Sequence, residues 1–324
     1  MPMFGAVAAQ PDVSVIVPVR DGASDVVALL GCLERQTLAR ERFEVVIGDD
    51  GSKEPLSISA ADDLRVRIAA GPPSNSYATR NRAVAESSAE ILAFCDADCR
   101  PEPEWLERGI KALADMDLAA GRIRFQVPEP RTAWTLVDMD GSKDHEHQVR
   151  VGVAETANLF LRRELFAAVG GFDGSIPEYG DFEFVRRCVA AGAKLSYAAE
   201  AIVWHPARTS AQSVLRALWK YNRGYAVHEA RAGGIPDAVK LRSWVPLVQT
   251  IRSRRRWGRS IGPDRTWLRQ HGVEPTRGET LRVLPIMYLI LPYVSGVAQL
   301  RGWLEGRKLR LGSHTDAASI NVSR

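Results

Sequence analysis

The first hundred residues alternate between short apolar runs and stretches with apolar residues at helical spacing. Residues 13–19 (VSVIVPV) and 90–95 (EILAFC) are continuous apolar runs, and residues 43–52 (FEVVIGDDGS) are a run that ends in a turn. Such runs, rich in β-branched residues, predict strands buried on both faces. Apolar residues at helical spacing follow the first run, and residues 75–88 also predict a helix. This alternation predicts an α/β fold with a parallel sheet and right-handed crossovers.

The pattern becomes more varied in the second hundred residues. Residues 119–127 (AAGRIRFQV) predict a strand, and the polar stretch 131–152 predicts a mobile loop. Residues 155–174 predict a strand and a short helix that stops at a Gly-Gly pair. A further helix is expected to begin at Asp181, and a last apolar strand ends at His205.

Carboxylates follow each of the first three predicted strands. Asp21 follows the first, Asp49 and Asp50 the second, and Asp96 and Asp98 the third. The carboxyl ends of parallel strands share one edge of the sheet, and ligands of open α/β sheets bind outside that edge. Each aspartate alone could cap a turn, but clustered carboxylates repel one another unless a cation or ligand hydroxyls compensate. We therefore predict a ligand site at this edge.

Composition is that of an ordinary soluble protein. The chain has 324 residues, of which 45% are hydrophobic and 25% charged, enough for one large domain or a domain with an appendage. The N-terminus lacks a basic segment followed by a long apolar stretch, so no signal peptide is expected. The four cysteines form no CxxC pair, which favours reduced thiols in a cytoplasmic protein.

The C-terminal third is basic and contains a long uncharged run. Residues 240–310 carry 15 Lys or Arg against 4 Asp or Glu, which leaves residues 1–239 acidic. The 18 uncharged residues 283–300 have an arginine on each side. Three interpretations remain open for this run: peripheral docking on an anionic membrane, a packed or dimerising helix, and a spanning helix. Nucleic acid is not expected as a partner, because the body is acidic and no aromatic array accompanies the arginines.

Six motifs in this order resemble inverting glycosyltransferases of family 2, which have the GT-A fold. They lie between residues 13 and 205, about three fifths of the chain, and their order and spacing make the resemblance specific. The motifs are VSVIVPVRDG, VVIGDDGS, ATRNRAVAES, ILAFCDADC, TANLFLRRELFAAVGGFDG and PEYGDFEFVRRCVAAG.

The resemblance implies a Rossmann-like, mostly parallel sheet flanked by helices, with a helical C-terminal extension. We expect a catalytic domain at residues 10–230, divided into a nucleotide-binding half at about 10–115 and an acceptor-binding half at about 116–230. Residues 231–311 would be the basic, partly apolar extension, and residues 312–324 a disordered tail.

The resemblance also implies a nucleotide pocket. Pro18, Arg20 and Asp21 would line the pocket of the base at the end of the first strand. Asp50 would accept a hydrogen bond from the base, and Arg80 would lie near the nucleotide.

The DAD sequence resembles the DxD motif of the family. Asp98 would ligate Mg²⁺ or Mn²⁺, and Asp96 would face both the ribose and the metal. His205 could complete the ligand set or be a structural histidine. Carboxylates suit these cations, which neutralise the charge that develops on a departing nucleoside diphosphate.

Asp181 matches the aspartate of the family's Glu-Asp motif and would be the general base, although Gly180 replaces the usual glutamate. The alternative is that Asp181 is a helix N-cap. Glu183 could contact the acceptor or be a solvated helix residue. His145 and His147 would belong to the mobile loop, which could close over the acceptor.

The predicted activity is metal-dependent, inverting hexosyl transfer from a UDP-, dTDP- or GDP-sugar to a hydroxyl of a glycan or lipid-linked acceptor. The QxxRW motif of processive members is absent, so the transfer should be non-processive. We expect a cytoplasmic enzyme, peripheral at the inner face of the plasma membrane and able to form a homodimer, that acts in cell-envelope polysaccharide synthesis. The alternatives are a sugar-phosphate nucleotidyltransferase, which would need a Gly-rich basic loop after the first strand, and a non-catalytic nucleotide-sugar sensor or membrane scaffold.

Overall fold

A computed structural model describes residues 10–56, 64–140, 142–236, 239 and 262–320, with side chains as far as residue 310. The contacts divide the chain into two compact units. Unit one comprises residues 1–126 and 143–206, and unit two comprises residues 127–142 and 207–324. The units separate at residue 206, whereas the sequence places its boundary at residue 230, and those domain limits stay a prediction. The basic run at 250–260 lies outside the described residues.

Eight strands of unit one form a single mixed sheet in the order β3-β2-β1-β4-β7-β6-β8-β5. The pairs β1–β2, β1–β4, β2–β3 and β6–β8 are parallel, and the pairs β4–β7, β6–β7 and β5–β8 are antiparallel. The predicted α/β fold is confirmed, and four of the seven strand pairs are parallel. The strands are β1 Val13–Val19, β2 Phe43–Asp49, β3 Val66–Ala70, β4 Ile91–Cys95, β5 Arg100–Pro101, β6 Leu118–Gln126, β7 Asn158–Arg162 and β8 Leu195–Pro206.

Helices flank the sheet and fill unit two. In unit one they are α1 Ala23–Leu33, α2 Ser76–Ala85, α3 Trp105–Lys111, α5 His145–Arg150, α6 Arg163–Ala168 and α7 Gly180–Ala190. In unit two they are α4 Ala133–Met139, α8 Ala211–Arg231, α9 Arg265–Gln270, α10 Arg277–Pro285, a π-helical turn Ile286–Ile290 and α11 Leu291–Ile320.

The sheet separates two hydrophobic cores. Successive residues of a strand point to opposite faces, so Val15 of β1 packs with α1 and α3 while Ile16 packs with α2, α6 and α7. Close packing fixes the distance between layers: Gly109 in α3 lies against the Phe160 ring of β7, where a Cβ atom would approach to 2.1 Å. The four cysteines are buried and free, as expected.

The predicted mobile loop at residues 131–152 is wrong. Most of its described residues form α4 and α5, each of which begins at a side-chain cap, Thr132 and Asp144. His145 is buried and fully hydrogen-bonded, with Nδ1 bound to the Gly121 carbonyl at 2.7 Å and Nε2 accepting from the Glu155 amide at 3.1 Å. Burial lowers the pKa of His145, so it is a neutral structural residue.

Unit two is a helical assembly in which α11 packs along α8. Small residues permit the close approach: a Cβ atom would lie 2.3 Å from the Arg223 carbonyl oxygen at Gly302 and 2.7 Å from the Val227 carbonyl oxygen at Gly306. A buried hydrogen bond of 2.8 Å joins Gln299 to Asn222. α11 continues to Ile320, so residues 312–320 are helical where the sequence predicts a disordered tail.

Candidate functional site

The strand ends bring the predicted carboxylates to one edge of unit one. β1 and β2 are paired in parallel so that Val19 lies opposite Asp49, and β4 runs parallel to β1 on its other side. Asp21 therefore follows β1, Asp50 follows β2, and the DAD motif follows β4 at the same edge. The predicted clustering arises directly from the parallel register.

The loops after β1 and β2 are held together by their own side chains. The Lys53 amide donates to Asp21 Oδ1 at 2.9 Å, and the Asp21 amide donates to the Ser52 hydroxyl at 2.9 Å. Asp21 has a left-handed backbone with φ of +54°. Pro18 lies opposite Gly48 in the β1–β2 register, and Arg20 is exposed. The two loops are thus braced against each other, and the base pocket at this place stays a prediction.

Asp50 is buried at the end of β2 and its orientation is fixed. Its Oδ1 accepts hydrogen bonds from the Ser74 amide at 2.7 Å, the Ser74 hydroxyl at 2.8 Å and the Thr79 hydroxyl at 3.0 Å. These donors lie just before and within α2, so Asp50 fixes the start of α2 to the end of β2. α2 also carries Arg80.

Arg80 is a buried cation that pairs with the first aspartate of the DAD motif. Its side chain is 4% exposed, and one terminal nitrogen lies 2.5 Å from Asp96 Oδ1. Its Nε is buried without a hydrogen-bond partner. A buried donor with no partner is costly, and such a group in a native site calls for an explanation.

Asp96, Asp98 and His205 form the one cluster of potential metal ligands found in the part of the chain that the structure describes. Their ligand atoms all lie within 4.8 Å of one another, and His205 Nε2 lies 3.8 Å from Asp98 Oδ2. β8 carries His205 to this edge. The Nδ1 of His205 is 2.9 Å from the Pro206 carbonyl oxygen, which favours a proton on Nδ1 and leaves Nε2 as the potential ligand atom.

Asp181 lies in the first turn of α7, two residues beyond the N-cap. Tyr179 occupies the N-cap position in a left-handed conformation, so the capping interpretation of Asp181 is wrong. Asp181 Oδ1 accepts from the Phe182 amide at 3.0 Å and from the Tyr77 hydroxyl at 3.2 Å. Burial raises the pKa of Asp181 to about 6, and the negative charge of Glu155 adds to the rise.

Glu183 has a structural partner. Both of its carboxylate oxygens pair with Arg187, at 2.6 and 2.9 Å, and Arg187 also donates to the carbonyl oxygens of Val169 and Gly171. The Glu183 side chain is 12% exposed, so it is not a solvated helix residue. Contact between Glu183 and an acceptor stays a prediction.

Three residues near this edge escaped the sequence analysis: Tyr77, Lys143 and Glu155. Tyr77 lies one turn before Arg80 on α2, so helical spacing could have indicated it. Lys143 and Glu155 form an ion pair with 2.7 Å between Nζ and Oε2. Nothing in the sequence marks this pair, because both residues lie in or beside the stretch predicted to be a loop.

A mixed sheet with a cluster of carboxylates at the ends of its strands is the architecture of GT-A glycosyltransferases. The family model for Glycosyl transferase family 2 matches residues 14–170. Glycosyltransferase AglE of Haloferax volcanii is 34% identical over 207 residues, which cover 61% of this chain and 68% of AglE. The chain therefore belongs to glycosyl transferase family 2, and it is a glycosyltransferase.

Other relatives agree with this assignment, and one solved structure shares the fold. Succinoglycan biosynthesis protein ExoA of Rhizobium meliloti is 28% identical over 249 residues, covering 72% of this chain and 74% of ExoA. Several longer relatives also match, and the chain spans less than half of their length. The structure of mannosyltransferase PcManGT from Pyrobaculum calidifontis, in complex with GDP-Man and Mn²⁺, shares the fold with a TM-score of 0.60 at 14% identity. The match covers 92% of this chain and 87% of PcManGT.

Proposed function

We propose that this glycosyltransferase carries out metal-dependent, inverting, non-processive hexosyl transfer from a nucleotide-diphospho-sugar to an acceptor hydroxyl. One observation carries the proposal. Unit one brings a ligand cluster, Asp96, Asp98 and His205, to the carboxyl edge of its sheet, and it also holds a partly buried carboxylate, Asp181, with a raised pKa. Titratable groups with shifted pKa values mark functional sites.

The ligand cluster fits a divalent cation. Two carboxylates and one imidazole offer oxygen and nitrogen atoms within 4.8 Å of one another, a donor set that suits Mn²⁺ and that Mg²⁺ can use in part. When bound, the cation would neutralise charge on the diphosphate of the donor. Asp98 is proposed as the direct ligand, with Asp96 and His205 beside it. The Mn²⁺ in the PcManGT structure supports a divalent cation in this fold.

The nucleotide is proposed to bind between helix α2 and the two loops that follow β1 and β2. Asp50 and Asp21 are braced there, and Pro18 and Arg20 end the first strand. Arg80 lies next to Asp96, and its buried Nε–H group lacks a hydrogen-bond partner. An anionic group of the nucleotide-sugar would accept a hydrogen bond from it. The GDP-Man in the PcManGT structure supports a nucleoside-diphosphate donor, of which UDP, dTDP and GDP types are all candidates.

Asp181 is proposed to take the proton from the acceptor hydroxyl. Two donors, the Phe182 amide and the Tyr77 hydroxyl, fix Oδ1. A pKa of about 6 leaves most of the carboxylate ionised at neutral pH, while making it a stronger base than an ordinary aspartate. Attack by the acceptor from the face opposite the leaving group would invert the anomeric centre.

The acceptor is proposed to be a cell-envelope glycan or a lipid-linked sugar at the cytoplasmic membrane surface. The name of ExoA, a succinoglycan biosynthesis protein, supports a polysaccharide pathway. The helical stretch Arg277–Arg310 is long and apolar enough to cross a membrane, and 28% of its apolar window is buried. Length and composition alone do not distinguish a spanning helix from a surface helix.

The structure of unit two favours surface docking. Side chains on α11 and on the turn before it form an exposed apolar stripe at spacings of three and four residues, while Ala298, Gly302 and Gly306 face α8. α8 carries exposed Arg216 and Lys220 alongside, which disfavours burying both helices in hydrocarbon. The stripe consists of Leu289 (69% exposed), Tyr293 (68%), Val297 (40%), Leu300 (40%) and Leu304 (49%).

Co-sedimentation with liposomes tests the docking. The chain should sediment with anionic vesicles, more weakly with neutral ones, and salt should reduce but not abolish binding. Replacing Leu289, Tyr293 and Leu300 with serine should abolish sedimentation with neutral vesicles and make binding to anionic vesicles fully reversible by salt. The matched control replaces three exposed apolar residues of unit one, Val27, Ile68 and Val151, with serine. No sedimentation of the unsubstituted chain, or equal loss in the control, would contradict the proposal.

Nucleotide release tests the activity itself. The purified chain is incubated with a panel of UDP-, dTDP- and GDP-sugars, and released nucleotide is followed with and without candidate glycan acceptors. At least one donor should turn over, and proton NMR of the product should show the anomeric configuration opposite to that of the donor. Retention of configuration would refute the role of Asp181 as base in a single displacement.

A further inference from the structure

An ion pair between Lys143 and Glu155 is enclosed in unit one. Lys143 Nζ lies 2.7 Å from Glu155 Oε2, and the two side chains are 9% and 19% exposed. The second oxygen of Glu155 accepts from Gln148 Nε2 at 2.8 Å. The other polar atom of that amide, Gln148 Oε1, is a buried acceptor without a hydrogen-bond partner.

The pair is held rigidly. The Glu155 amide donates to His145 Nε2 at 3.1 Å, and His145 is anchored through Nδ1 to the Gly121 carbonyl in β6 at 2.7 Å. Lys143 has a left-handed backbone with φ of +57°. Among the described residues, the other two non-glycine residues with positive φ are Asp21 and Tyr179, which lie in the proposed nucleotide pocket and directly before α7. Non-glycine residues in this conformation cluster at functional sites.

The register of β7 places the pair at the site edge. Asn158 lies opposite Cys95 in the antiparallel β4–β7 pair, so the residues before Asn158 run back past the DAD motif. A contact of 3.8 Å between Cys99 Sγ and the Ala157 carbonyl oxygen confirms this course. Glu155, two residues before Ala157, therefore lies where the chain passes the proposed metal ligands.

The pKa values of Lys143, Glu155 and Asp181 agree with this location. Burial lowers the pKa of Lys143, but the charges of Glu155 and Asp96 raise it by more, so the pKa lies above its ordinary value. Burial raises the pKa of Glu155, but the charge of Lys143 and the hydrogen bonds from Lys143 and Gln148 are among the effects that together lower it to about 2. Glu155 in turn raises the pKa of Asp181. The pair is ionised and lies within electrostatic reach of both the DAD motif and the proposed base.

Stability gives little reason for such a pair. Removing two charges from water costs free energy that their attraction often only offsets, and well-packed apolar residues commonly do as well. A rigid pair with a carboxylate, an ammonium and an amide acceptor that lacks a partner is instead suited to vicinal hydroxyls. A carboxylate accepts from two hydroxyls, and an ammonium donates to their oxygens.

We propose that Lys143 and Glu155, assisted by Gln148, form the site that binds hydroxyl groups of the transferred sugar. The inference rests on the proposed function, because it requires a nucleotide-diphospho-sugar with its diphosphate at Asp96 and Asp98. The reacting carbon of the sugar would then lie between these carboxylates and Asp181, and the ion pair would bind the hydroxyl groups of the sugar ring. The residues that select the donor sugar would then be separate from those that bind the nucleotide.

Isothermal titration calorimetry in Mn²⁺ without acceptor tests the inference. The probes are UDP, dTDP and GDP. Each is compared with its matching nucleotide-sugar, which is UDP-glucose, dTDP-glucose or GDP-mannose, respectively. The measured quantity is the dissociation constant of the nucleoside diphosphate divided by that of the matching nucleotide-sugar. This ratio reports how much affinity the sugar adds. Glu155→Gln should lower this ratio about tenfold or more, because it removes a charged hydrogen-bond acceptor, while leaving affinity for the nucleoside diphosphate within about threefold.

Two further variants guard against misfolding. Glu146→Gln breaks an exposed ion pair with Arg150 on the same helix, α5, and should change neither constant. Lys143→Met combined with Glu155→Gln removes both charges of the pair, which avoids an uncompensated buried charge, and should show the same loss of the sugar's contribution. Thermal unfolding confirms that each variant is folded.

Each outcome bears on a separate claim. Failure of the unsubstituted chain to bind any of the six probes would overturn the proposed function. If it binds nucleoside diphosphates but the sugar adds nothing, or if both ion-pair variants keep the full ratio while folded, the inference is wrong. If the ratio is unchanged but the acceptor KM in transfer assays rises, the pair binds the acceptor sugar, and the assignment to the donor is overturned.

Discussion

The raised pKa of Asp181 predicts how the activity depends on pH. A base must be ionised, so turnover should fall as pH decreases through the pKa of the Asp181 carboxylate in the folded enzyme. With a pKa of about 6, about nine tenths of the carboxylate is ionised at pH 7 and about one tenth at pH 5. An ordinary aspartate would remain ionised over this range. The structure thus predicts a loss of about tenfold in kcat between pH 7 and pH 5.

The assay is steady-state nucleotide release at saturating donor and acceptor from pH 4.5 to 8. The logarithm of kcat should fall with unit slope below about pH 6. His205 is a proposed metal ligand and protons compete with metal for imidazole ligands, so the profile is repeated at tenfold higher Mn²⁺. Protonation of a ligand competes with metal and would move the limb to lower pH, whereas a limb due to Asp181 stays in place.

Substitution of Asp181 completes this test. Asp181→Asn should lower kcat by about 10²–10⁴-fold, because the amide cannot accept the proton, with donor affinity by calorimetry unchanged. Enzyme returned from pH 5 to pH 7 must regain full activity, which excludes acid unfolding as the cause. A kcat independent of pH down to 5, or near-normal turnover by Asp181→Asn, would refute the assignment.

Two further predictions concern packing. Gly109→Ala should destabilise the protein by about 1–3 kcal/mol in denaturant unfolding, because the added Cβ would overlap the buried Phe160 ring. Gly278→Ala in α10 is the control and should be neutral or slightly stabilising, because its Cβ would meet no atom within 4 Å. Gly302→Val should separate α11 from α8 and increase proteolysis of unit two, whereas Gly296→Ala, also without a neighbour within 4 Å, should leave it intact. Equal effects of either pair would contradict the packing described.

The strands that form the site could be predicted because burial on both faces leaves a clear apolar pattern. β1 and β2 are continuous apolar runs and were predicted nearly to the residue. β3 was missed, since only Ala69 among its five residues is buried and its sequence therefore lacks a strand pattern. No feature of the sequence indicates that β7 runs antiparallel to β4, because this direction follows from long-range pairing.

The candidate ligands could be predicted because they lie at strand ends in a recognisable motif. Their partners could not, since these contacts join residues far apart in the chain. The pairing of Arg80 with Asp96 depends on how α2 packs on the sheet. The Lys143–Glu155 pair depends on α5, a short polar helix in which His145 is the one buried residue, so that its sequence resembles a polar loop. Hence the residues around Asp98 were expected, whereas those proposed to read the sugar were not.

The central claim is that a divalent cation held by Asp98 is needed for transfer, and a metal titration tests it most directly. The purified chain is stripped with EDTA and supplied with the nucleotide-sugar that it turns over, and nucleotide release is measured as Mn²⁺ or Mg²⁺ is added. Activity should be absent in EDTA and return with metal. Asp98→Asn should reduce turnover at least about 10²-fold, while Asp115→Asn, at an exposed position, should not. Full activity in excess EDTA, or normal metal-dependent turnover by Asp98→Asn, would contradict the account.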